Sequence, residues 1–208
     1  MNEFLDQPLQ VIAAALKNGE TTSVALVTDC LERIDRVNPD LNAVVSMAKD
    51  LALKHAAKAD ADSASGQATG PLHGIPMTIK DSLDTFDMIT TWGTQGRQQF
   101  RPGKDAACVA RLRRAGAILV GKTNTPEFTL SFQTDNLLFG RTNNPFDLNR
   151  SSGGSSGGAA ALIASGAIPF DIGTDTGGSI RLPAHFCGIS GIKPTTGRVP
   201  CTGNALPA

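Results

Sequence analysis

Histidine occurs three times in this chain and cysteine four times, and neither is clustered. The one close pair of soft ligands, His185 and Cys187, is offset by two positions, which points two side chains apart on a helix, and His55 and His73 stand alone; no metal site is expected. Cys30, Cys108, Cys187 and Cys201 are too few and too scattered for a disulfide framework and read as reduced, buried thiols. Charge of one sign is missing too. Nineteen Lys+Arg balance 19 Asp+Glu, so there is neither the basic surplus of a nucleic-acid binder nor the acidic surplus of a solvating tail. No apolar run approaches the ~20 residues of a membrane-spanning helix. The start, Met1-Asn2-Glu3-Phe4-Leu5-Asp6, is acidic where a secretory leader is basic, so a cytoplasmic protein with no membrane partner is expected.

What is present is an ordinary globular composition, 40% hydrophobic over 208 residues, enough for one large domain or two small ones. Residues 9–16 carry Leu, Val, Ile and Ala on one helical face before Asn18-Gly19. A second helix begins at a Thr22 or Ser23 cap and repeats Val24, Leu26, Val27, Leu31, Ile34 and Val37 until Asn38-Pro39 ends it. Residues 43–46 read as a strand and 49–61 as an alanine-rich helix running into a polar loop. Residues 77–79 form a short apolar strand with Lys80 at its C-terminal end, a position where α/β enzymes place reactive groups and where solvated charges also sit. Residues 106–115 are helical with Arg111, Arg113 and Arg114 toward water, Gly116 stops them, and 117–120 is a buried strand.

Three short patterns mislead. Gly116 to Thr123 has phosphate-loop spacing, but the intervening residues are that apolar strand. Gly153-Gly154-Ser155-Ser156-Gly157 has the nucleophile-elbow spacing, yet no strongly apolar strand leads into it, and His185 follows too closely. Ser190-Gly191-Ile192-Lys193 has serine β-lactamase spacing, but Gly191 and Pro194 disfavour the helix it requires.

The stretch from Ser151 to Pro200 organises the rest. Ser155 and Ser179 each follow a Gly-Gly pair, with one helix-like and one strand-like segment between them, enough for a crossover back to the same sheet edge. Glycine there lets the backbone turn sharply and aim N–H groups at a bound atom. Taken singly, Ser155 could be a loop serine and Ser179 a helix N-cap.

Together, Met77-Thr78-Ile79-Lys80-Asp81, Gly121-Lys122-Thr123-Asn124, the glycines and serines of 153–158, Gly173-Thr174-Asp175-Thr176-Gly177-Gly178-Ser179-Ile180-Arg181 and Gly191-Ile192-Lys193-Pro194-Thr195 resemble the amidase signature family, from about residue 7 to the end. The resemblance implies an α/β fold, a mixed β-sheet core flanked by helices on both faces. It implies one domain over 1–208, with an N-terminal helical segment to about residue 65 packed on a signature core at 71–200. It implies hydrolysis of a carboxylic amide by a serine acyl-enzyme, with Lys80 as general base, Ser155, preceded by a cis peptide bond, as relay, and Ser179 as nucleophile. The N–H groups of Thr176, Gly177, Gly178 and Ser179 would form an oxyanion hole. Asp175 and Arg181 would fix the nucleophile loop, and Thr129, Leu130 and Ser131 would either border the acyl pocket or pack. No cofactor is required, and the partner is a small-molecule amide.

Family members are considerably longer. The C-terminal half that completes the sheet and much of the pocket is missing here, so an open strand edge and exposed apolar surface are expected, with aggregation or a partner as the consequence. Ser152 stands where relatives often have proline, with little consequence expected. Two other readings stay open: the amidase component of a tRNA-dependent amidotransferase, which would bring nucleic acid in as a partner, and a non-catalytic remnant. Thr125-Pro126-Glu127-Phe128 favours general amidases. A homodimer is also left open.

Overall fold

The computed structural model describes residues 3–206; Met1, Asn2, Pro207 and Ala208, the ends of the expected domain, lie outside them. After a 3-10 turn at Glu3–Asp6, helix α1 (Leu9–Asn18) ends at Gly19 and α2 (Ser23–Leu41) follows, its cap Thr22 accepting the Ala25 N–H at 3.1 Å. Strand β1 (Val44–Met47), α3 (Lys49–Ala64), β2 (Pro76–Lys80), α4 (Ala107–Arg114) and β3 (Ile118–Thr123) come next. A hairpin of β4 (Asn143–Asn144) and β5 (Asp147–Ser151), then α5 (Gly157–Ala164), β6 (Asp171–Ile172) and α6 (Arg181–Phe186) complete the chain.

The sheet order is β1-β3-β2-β6, with β1 antiparallel to β3 and the other two pairings parallel. Its two faces carry separate apolar layers. Ile118 and Val120 join Ile12, Leu26, Ile34, Ala56 and Leu162 on the face covered by α1, α2, α3 and α5. Leu119, Met77 and Ile79 join Val109 of α4 on the other. This is strand alternation at work: with Met77 and Ile79 facing α4, Thr78 and Lys80 of the same strand must face α5. All five residues of β2 are buried, so the lysine at its end is enclosed before any site chemistry is considered.

Three expectations are corrected. Helix α2 does not stop at Asn38-Pro39 but continues to Leu41. Proline there removes a single donor in the last turn, and the Asn42 N–H still closes onto Asn38 O at 2.8 Å. Arg113 is no solvated surface residue: it pairs with Asp87 at 2.6 Å and Asp105 at 3.2 Å, and all three side chains are largely enclosed. Of the four cysteines, Cys30 and Cys187 are buried but Cys108 and Cys201 are partly exposed.

Helix α5 meets the sheet backbone to backbone. A Cβ on Gly158 would stand 2.7 Å from Ala43 O and 2.8 Å from Asn124 O. Alanine is the better helix former, yet Gly158→Ala should destabilise the fold by about 2–3 kcal/mol, because main chain cannot step aside as a flexible side chain can. Urea unfolding of the variant measures this, and an unchanged midpoint would contradict it.

Candidate active site

The C-terminal end of β2, the loop entering α5 and the loop leaving β6 converge. Lys80 has no accessible surface; its Nζ lies 2.6 Å from Ser155 Oγ and donates to Thr174 Oγ1 at 2.8 Å. Enclosure disfavours an ammonium, and although the charges of Asp171 and Asp175 pull the other way, Lys80 comes down to about 7. A lysine so placed exchanges protons near neutrality. Ser155 is likewise buried, and Ser179 is 9% exposed. The two serine loops are tied together by the Ser156 N–H, which donates to Ser179 O at 3.1 Å. The Gly154–Ser155 peptide is cis.

Asp175 builds the loop that carries Ser179. Its carboxylate accepts from the N–H groups of Gly178 (2.8 Å), Ile180 (3.0 Å) and Arg181 (3.2 Å), and from the Arg181 guanidinium at 3.0 and 2.9 Å. Burial works against its ionisation, but these bonds outweigh it and hold the carboxyl well below the usual range. The same geometry narrows the expected oxyanion donors. The Gly178 N–H is spent on Asp175, whereas among the described residues those of Thr176, Gly177 and Ser179 have no hydrogen-bond acceptor. Three of the four expected donors are therefore free to meet an oxyanion.

Residues 127–133 run alongside. Phe128 and Thr129 have φ of 50° and 63°, Leu130 is 72% exposed, and Ser131 is exposed with its Oγ accepting from Gln133 N. A Cβ on Gly154 would meet Phe132 C and Gln133 N at 2.8 Å and Ser131 O at 2.9 Å. Only glycine lets the two main chains lie this close. The Phe132 ring reaches towards Gly177, at 4.0 Å from where its Cβ would be. Leu130 and Ser131 are exposed and Thr129 is half-buried, while residues 131–133 lie against Gly154 of the first serine loop.

This arrangement can be set against known proteins. A family model described as Amidase matches residues 25–207. The chain belongs to the amidase signature family. It is 49% identical over 188 residues to a component of the glutamyl-tRNA(Gln) amidotransferase of Rhodopirellula baltica, an alignment covering 90% of this chain and 38% of that protein. Among solved structures, the peptide amidase of Stenotrophomonas maltophilia superposes with a TM-score of 0.90 at 38% identity, covering 97% of this chain and 43% of the other. A fatty acid amide hydrolase superposes at 0.93 with 32% identity, covering 97% and 36%. The chain thus spans about two fifths of the length of these family members.

Sequence reasoning passed over the residues that line the lysine from behind. Thr174 contacts Nζ directly, and Thr78 and Thr123 donate to Asp171 Oδ2 at 2.6 and 2.9 Å. Strand alternation was the available signal, since Thr78 shares a face with Lys80. Ser152 is buried and donates to Thr142 O at 3.2 Å. Metal-ligating clusters are absent among the described residues, as are helices long and apolar enough to cross a membrane. A cavity of about 860 Å³ lies against β6, lined by Phe170, Ile172, Ile189, Ile192 and Val199. Lys80, Ser155 and Ser179 do not line it, but Ser156, Asp171, Thr174 and Asp175 do, so it opens beside β6 next to the serine–lysine cluster.

Proposed function

We propose that this chain carries the catalytic constellation of an amide hydrolase, in which Lys80, Ser155 and Ser179 pass one proton along a line. A serine hydroxyl attacks poorly until a base accepts its proton, and an exposed lysine is charged and cannot. The observation that carries the reading is the enclosed Lys80 Nζ, 2.6 Å from Ser155 Oγ. As Ser179 Oγ bonds to the amide carbon, its proton moves to Ser155 while the Ser155 proton moves to Lys80. The oxyanion is met by the N–H groups of Thr176, Gly177 and Ser179. Collapse returns a proton through Ser155 to the leaving nitrogen, which departs as amine or ammonia. Water, deprotonated by the same relay, then releases the acid. Residues 129–131 border the acyl side of the substrate. Serine–lysine sites perform serine–histidine chemistry by this logic.

The substrate class is a small carboxylic amide. The similarity to glutamyl-tRNA(Gln) amidotransferase components favours a second reading, in which the same centre belongs to one component of an amidotransferase, with the released ammonia passed to a charged tRNA; Thr125-Pro126-Glu127-Phe128 weighs the other way. Association with partner proteins separates the two. Treatment of the full-length protein with a fluorophosphonate, followed by peptide mass spectrometry, tests the core of the reading. An adduct on Ser179 is expected; no adduct, or one on another residue, overturns it.

A further inference from the structure

The charges of Asp171 and Asp175 act on Lys80, and Asp81 is its neighbour in the chain; two of these three carboxylates are committed elsewhere. Asp81 points to the opposite face of the sheet, where it is 3.3 Å from the buried Lys122 Nζ and accepts from Thr91. Asp175 is saturated by Arg181 and three main-chain N–H groups. The third, Asp171, is different. It stands on β6 in register with Thr78, while Lys80 is in register with Thr123. Lys80, Thr78, Thr123 and Asp171 therefore make one polar patch across three adjacent strands, on the face toward α5, a helix with no titratable side chain.

The Asp171 carboxylate is held only by neutral hydroxyls, those of Thr78 and Thr123, both on Oδ2. Asp171 as a residue is partly exposed, but its Oδ1 is buried with no hydrogen-bond partner. A buried carboxylate with an idle oxygen is costly, and neutral donors stabilise it less than a cation would. Its charge is left to act on the two buried lysines, of which Lys122 already has Asp81. Burial raises Asp171 to about 6, against the pull of those hydroxyls and both lysines.

We propose that Asp171 is a positioning residue that sets the proton affinity of Lys80 through space, keeping the amine basic enough to draw a proton through Ser155. This rests on Lys80 acting as the base. Desolvation alone would leave the amine easy to deprotonate but weak as a base, and general-base catalysis needs both properties near the working pH. One negative charge on the same face of the sheet offsets part of that desolvation without forming an ion pair that would lock the ammonium in place.

The test is Asp171→Asn in the full-length protein, with lysine labelled at 13Cε and the Lys80 resonance assigned by its loss in Lys80→Met. Removal of the charge should lower the titration midpoint of Lys80 by about one pH unit, the scale of a nearby opposite charge. The acid limb of fluorophosphonate labelling at Ser179 should move down by the same amount, while the plateau rate falls several-fold. Asp171→Glu should restore the midpoint. Superimposable Lys80 titrations in the wild type and Asp171→Asn would overturn the proposal. Should Asp171→Asn not fold, Thr123→Val removes one of the two hydroxyls and discourages ionisation of Asp171; a smaller downward shift is expected, and no shift is equally fatal. The NMR midpoint is read without turnover, so an unlabelled Ser179 would defeat the hydrolase reading while leaving this one decided on its own data.

Discussion

Lys80→Met is expected to cost about 10³–10⁴-fold in amide hydrolysis and, at the same time, to make the folded protein harder to unfold near neutral pH. The two effects have one cause. Lys80 ordinarily titrates at 10.5 and is held at about 7 when folded, so between those values the unfolded chain binds a proton that the folded chain does not. Stability therefore rises with pH across that window, and below about 7 the full penalty is present. Methionine keeps the length and loses the charge. It should recover about 2–4 kcal/mol at pH 7, less than the pKa difference alone implies, because Asp171 loses a neighbouring cation and takes up its own proton. In the wild type, hydrolysis should climb with pH through about 7 as the amine becomes neutral, opposite in origin to a carboxylate-driven acid limb. Urea unfolding at pH 7 and 10 and a pH–rate profile measure both halves. An active Lys80→Met protein, or one less stable than the wild type at pH 7, would contradict the account.

The periodic parts of the fold were legible because they obey local rules. The α1 stop at Gly19, the Thr22 cap and the strand ending in Lys80 each need only a few neighbouring residues to be read. Errors arose where distant residues decide. Arg113 looked solvated on a helical wheel, but Asp87 and Asp105 reach it from segments outside the helix. The glycine turn before Ser179 showed where main-chain donors would gather, yet not that Asp175 would claim the Gly178 N–H. Nothing local to Lys80 marks Asp171, 91 positions later, as its electrostatic neighbour; that follows from a parallel pairing of β2 with β6 which only the folded chain brings about. The same holds for the nearly closed gap between Gly154 and residues 131–133, where the choice of glycine is explained by a passing backbone rather than by any turn in its own loop.

Ser155→Ala should lower amide hydrolysis by about 10³-fold or more while leaving the fold intact, since a relay loses its function when one hydroxyl is removed even though nucleophile and base both remain. Lys80 would keep its bond to Thr174, so the amine stays in place and the defect lies in proton transfer alone. The loss should depend on the leaving group. An amide nitrogen must be protonated to depart, which calls on Ser155 a second time, whereas an activated ester leaves as a stable anion and calls on it only once. The variant should therefore lose less against an activated ester than against the matching amide, by at least about tenfold, or about 1.4 kcal/mol of transition-state stabilisation. Matched amide and ester substrates assayed with both proteins supply the comparison. An equal loss on the two would mean that Ser155 acts only before attack, by orienting Lys80 or Ser179, and would sink its role as the proton donor to the leaving nitrogen.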